Sequence, residues 1–132
     1  MTLENEKRFL LLLSSFDIMQ NSMFAVPTKP QVLDRIAEKN WANFAEEQLK
    51  LKQNRNELVW RNDFAFIRKH LEQNGFYVSG KRNDWSITEA GKKELKRLCM
   101  QVFATNSFSM VSQNAVSHAK KLYESLYLCG NV

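Results

Sequence analysis

Residues 3–21 of this chain contain neither glycine nor proline, and near their middle stands the run Phe9-Leu10-Leu11-Leu12-Leu13. Five consecutive apolar side chains wrap a helix through more than one full turn, so no face is left for water. A helix that is apolar all round belongs in the centre of a core. The run is about half the length that a membrane span needs. Glu4 and Glu6 stand where a secretory signal wants only positive charge, and no convincing cleavage site follows. The expectation is therefore a central buried helix in a cytoplasmic protein with no membrane association. At 132 residues and 44% hydrophobic content, one core can form without staples, so residues 1–132 are expected to make a single domain. Cys99 and Cys129 are too few for a disulfide framework or, alone, for a zinc site, and are expected to be reduced thiols.

Local signals divide the rest of the chain. Thr28-Lys29-Pro30-Gln31 has the form of a capping box with proline in the first turn, which starts a helix running to about Lys39. A further helical stretch is expected at 42–53, anchored by Phe44, Leu49 and Leu51. Trp60, Phe64, Ile67 and Leu71 recur at helical spacing and share one face, and Asn74-Gly75 ends that helix. Phe76-Tyr77-Val78 and Asp84-Trp85-Ser86-Ile87 then flank a polar loop around Gly80, which predicts a hairpin. Thr88 caps a helix from Glu89 to Phe103. Residues 104–112 look like a linker, and a last helix is expected at 113–128.

Charge is unevenly placed. Residues 48–97 carry twelve Lys/Arg against six Asp/Glu, a local excess of +6 within an overall +5. Concentrated positive charge suits a phosphate-binding surface, because each neutralised phosphate releases counterions. In the expected order of elements, the helix starting at Trp60 presents Arg61, Asn62, Arg68 and Lys69 away from its apolar stripe. The hairpin tip presents Lys81, Arg82 and Asn83, and Asn54, Arg55 and Asn56 precede the helix. Arg and Lys bind phosphates or guanine edges and Asn pairs with adenine, so these ten residues form the candidate DNA-binding set. The predicted fold is mostly α with a small β-hairpin, a winged helix-turn-helix with extra N- and C-terminal helices and a core at 28–100.

The segment from Trp60 to Gly91 carries a resemblance. Leu71-x-x-x-Gly75-Phe76 followed by Trp85-x-Ile87-Thr88-x-x-Gly91 is similar to the N-terminal domain of Mrr-type restriction systems and of related restriction-associated modules. The resemblance implies a winged helix and, with it, a role at DNA. The motif residues are mostly structural: Trp85 and Ile87 pack, and Thr88 caps. The helices expected at 42–53 and 113–128 depart from the usual module.

Nothing in the sequence asks for catalysis, a metal or a cofactor. His70 and His118 lack partners at metal spacing, and the four glycines make no phosphate loop. The three tryptophans read as core rather than as an aromatic cage. The leading expectation is a non-enzymatic protein that binds double-stranded DNA as a regulator or restriction component. The alternative is a protein-interaction module or inhibitor. In either case the 113–128 helix, through Leu122, Tyr123, Leu126 and Tyr127, is offered as a homodimer surface.

Overall fold

The computed structural model describes residues 1–21, 26–53 and 56–128; Asn54, Arg55, Cys129 and the side chain of Tyr127 lie outside that range. Among the described residues five α-helices form: α1 (Leu3–Asn21), α2 (Lys29–Glu38), α3 (Val59–Gln73), α4 (Glu89–Phe103) and α5 (Gln113–Tyr123). A π turn, Glu124–Leu128, continues α5.

Helix α1 is the hub. Every residue from Phe9 to Ile18 is buried, and α2, α3 and α4 pack around it. Its apolar side chains join Leu33, Ile36, Trp60, Phe64, Leu71, Leu95, Leu98 and Val102 in one core that extends to Ala115 and Ala119 of α5. The buried polar residues on α1, Glu6, Ser14, Ser15 and Asp17, each meet a partner on another element. Glu6 accepts the backbone N–H groups of Ser109, Met110 and Val111. Ser14 donates to the Val32 carbonyl and Ser15 bonds the Tyr77 hydroxyl. Asp17 pairs with Arg35 of α2 and, at 2.8 Å, with His118 of α5. Among the described residues no helix is long and apolar enough to cross a membrane.

The capping signals operate as written. Thr28 and Gln31 exchange the reciprocal bonds of a capping box, and Thr88 and Ser112 cap α4 and α5. After α3, Gly75 takes φ +81°, with Phe76 N–H bonded to the Leu71 carbonyl and Gly75 N–H to that of Glu72. This Schellman geometry explains why glycine stands there.

Two expectations fail. The winged helix with a β-hairpin is not what forms: no β-strand or sheet occurs among the described residues. Residues 76–88 touch as a single antiparallel bridge, Tyr77 to Ile87, flanked by Val78 N–H to Ser86 O and Thr88 N–H to Phe76 O. The ladder stops because its donors are engaged elsewhere. Ser86 N–H, which would return the bond to Val78, goes to Asp84 Oδ1, and Phe76 N–H, which would reach Thr88, closes α3 on the Leu71 carbonyl; the N–H groups of Trp85 and Ile87 point away from the 76–78 stretch, to the Pro27 carbonyl and Met19 Sδ. The helix expected over 42–53 is also absent. A short 3-10 turn, Glu46–Leu49, is all that winds there. Ala42 instead bridges Val111, and Leu51 bridges Leu58. Leu49 and Leu51 stay exposed, so helix formation would have buried little.

Gly91 sets the approach of α4 to the end of α3. A Cβ placed there would lie 2.2 Å from the Phe76 carbonyl oxygen. Gly91→Ala is expected to cost about 1–3 kcal/mol by overpacking, read as a lower urea midpoint. Gly80→Ala, whose Cβ meets nothing within 4 Å but whose φ is +81°, should cost about 1–2 kcal/mol from backbone strain alone.

Acid should weaken the fold through Asp17. Burial by itself raises its carboxyl, but the hydrogen bond and charge of His118 and the guanidinium of Arg35 outweigh that and hold it below its ordinary 3.8. The unfolded chain therefore takes up the proton first. The contribution of Asp17 is present above pH 3.8 and is lost as the pH falls through and below that value. Asp17→Asn is expected to lower stability at neutral pH and to flatten the acid limb of a stability–pH profile.

Candidate nucleic-acid interface

Lys29, Arg68, Arg82, Asn83 and Trp85 line one surface cleft of about 670 Å³. They come from three places: the first residue of α2, the flank of α3, and the loop between α3 and α4. Asn83 fixes their register. Its φ of +63° turns the chain, and its Oδ1 accepts the Lys29 backbone N–H at 3.1 Å, tying the loop to the start of α2.

Arg68 is held firmly. Nη1 pairs with Glu72 at 2.7 Å and Nη2 donates to the Asp84 carbonyl at 2.9 Å. The guanidinium lies over the rings of Tyr77 and Trp85, 5.4 and 5.3 Å from their centroids, and its side chain is only 12% exposed. Such an arginine positions the loop as much as it offers charge. Tyr77 beneath it is fully buried, and burial pushes its phenol well above the ordinary range, so it stays neutral.

The remaining sequence-predicted residues divide into paired and unpaired groups. Arg61 is bridged to Asp34 at 2.8 Å. Lys29, which the sequence reading placed only at a helix start, is bridged to Glu57 at 2.7 Å. Lys69, Lys81 and Arg82 are exposed and form no ion pair among the described residues. Asn62 is half-buried on α3 and Asn56 is exposed just before it, while Asn54 and Arg55 lie outside the described residues. The structure thus brings Arg68, Arg82 and Asn83 together, adds Lys29, and interleaves acidic partners that net charge had concealed.

At the other end, Leu122, Tyr123 and Leu126 pack partly against the core, and beside them Met100, Phe103, Lys120, Tyr123 and Glu124 line a cleft of about 560 Å³. Trp41, Trp60 and Trp85 are all buried. Cys99 is buried, and its thiol is pushed up to about 12 by that burial, which leaves it almost without thiolate at neutral pH.

A family model for the Mrr N-terminal domain matches residues 11–97, from the buried centre of α1 to the middle of α4. The chain belongs to the Mrr N-terminal domain family. It is thus a domain of the kind associated with restriction systems, and that family's domain is not itself the catalytic one. No curated protein and no solved structure matches the chain. Within this Mrr N-terminal domain, the motif residues behave as structure: Gly75 turns the chain, Trp85 and Ile87 are buried, Thr88 caps α4 while donating to the Gly75 carbonyl, and Gly91 admits the close approach. Helix α5 lies beyond the matched span.

Two variants separate support from charge. Arg68→Ala is expected to destabilise the domain by about 1–3 kcal/mol, because it strips the stack over two aromatic rings and leaves Glu72 and the Asp84 carbonyl without a cation. Arg82→Ala should leave stability within about 0.5 kcal/mol of the parent. Urea unfolding of both proteins checks this.

Proposed function

We propose that this domain binds double-stranded DNA as a component of a restriction or related defence system, with the cations of the 80–83 loop and the adjoining cleft on backbone phosphates. The cleft carries the reading: Lys29, Arg68 and Arg82 converge there from three elements, with Lys81 beside them. Phosphate contacts of this kind position a protein on the duplex and carry no sequence information. Membership of a restriction-associated family supports DNA as the polyanion.

One observation favours a second reading, a protein-interaction module. Asp34, Glu57 and Glu72 each neutralise one of the cations, so the positive surface is smaller than the charge count implies. Salt dependence separates the two readings. Affinity for a short duplex, followed by fluorescence anisotropy between about 50 and 200 mM salt, should fall linearly on a log–log plot. Lys81→Ala and Arg82→Ala should each reduce the slope by about 0.9. Arg61→Ala should change it less, since Asp34 already holds that charge. Absence of binding at the lowest salt would overturn the DNA reading in favour of a protein partner.

A further inference from the structure

The face of α3 opposite the core holds a residue out of keeping with a solvated surface. Phe66 is 60% exposed and is the one aromatic side chain so exposed among the described residues. Its ring meets the edge of the His70 ring at 4.6 Å. At 3.6 residues per turn, Asn62, Phe66, Lys69 and Gln73 fall in one row, opposite Trp60, Phe64 and Leu71. The row therefore reads amide, aromatic ring, ammonium, amide. It borders the flank that carries Arg61 and Arg68, the second of which lines the cationic cleft.

We propose that this row is the base-reading face of the domain, and that Phe66 receives the 5-methyl group of a thymine in the major groove, with Asn62 on an adenine two base pairs away. The proposal rests on the reading that the domain binds duplex DNA. An α-helix fits the major groove, where thymine presents an apolar methyl and adenine a donor–acceptor pair that a side-chain amide matches. Asn62 and Phe66 are separated along the axis by about 6 Å, close to the rise of two stacked base pairs at about 3.4 Å each. An amide and a ring one turn apart thus meet base pairs two steps apart on a single groove floor. Lys69 decides the occupant: exposed and without an ion pair among the described residues, its ammonium stands in the row beside the ring, and an apolar side chain next to a free cation complements a polyanion carrying an apolar group.

The test compares an A·T-rich duplex with the same duplex in which every thymine is replaced by uracil, which lacks only the methyl. The parent protein is expected to bind the thymine duplex about fourfold more tightly for each methyl contacted, the factor for burying one such group. Phe66→Ala, at an exposed position, should fold normally, bind both duplexes equally, and keep the parent salt slope. Arg82→Ala should bind both more weakly and keep the thymine preference. Equal binding of the two duplexes by the parent protein, or a preference that survives in Phe66→Ala, overturns the proposal while leaving DNA binding intact. Failure to bind either duplex overturns the DNA reading and the proposal together. A change in sedimentation mass in Phe66→Ala with the preference unaltered overturns it in favour of contact between copies.

Discussion

From Phe9 to Ile18 helix α1 is buried on every side, so the polar residues buried on it, Glu6, Ser14, Ser15 and Asp17, take their partners from inside the protein. That requirement organises the molecule. Glu6 gathers three backbone amides of the 109–111 segment, Ser14 holds the backbone of α2, Ser15 holds Tyr77, and Asp17 joins α2 to α5. Apolar burial supplies most of the driving force, but it is non-directional. These bonds are directional, and leaving any one of them unmade inside the core would cost the full desolvation of its group. They therefore select one arrangement of the surrounding elements among the many that would bury similar area.

The same chain of contacts reaches the surface. Ser15 fixes the hydroxyl of Tyr77, and the Tyr77 ring forms part of the platform on which Arg68 lies. Arg68 in turn holds the Asp84 carbonyl, and Asn83 beside it ties the loop to the start of α2. The cationic loop is thus positioned from the core outward, although no sheet supports it. A residue with φ near +63° and one well-placed arginine do the work that a hairpin ladder would otherwise do.

Much of the architecture was legible in the sequence because it depends on local chemistry. The boundaries of α1 follow from a stretch without breakers, that of α2 from Thr28 and Gln31, and the end of α3 from Asn74-Gly75. The 76–88 segment was misread because strand alternation in Trp85 and Ile87 speaks only of burial, while a ladder also needs unengaged amides. Asp84 takes the amide of Ser86, and the Leu71 carbonyl at the end of α3 takes that of Phe76. The 42–53 segment was misread because Leu49 and Leu51, two residues apart, fall on opposite sides of a helix and have no single surface to bury against. Phe66 had a visible signal, being the phenylalanine out of phase with the Trp60, Phe64, Ile67 and Leu71 stripe.

By itself the sequence determined the central buried helix, the helix caps and the family, since burial, capping and turn chemistry are written in adjacent residues. Only the tertiary structure decided which cations remain available. Arg61, Arg68 and Lys29 each meet a carboxylate from elsewhere in the fold or one turn along, while Lys69, Lys81 and Arg82 meet none among the described residues. The physical reason is range: a charge pair is made by distance in space, and for Asp34 with Arg61 or Glu57 with Lys29 that distance is set by packing more than twenty residues apart along the chain.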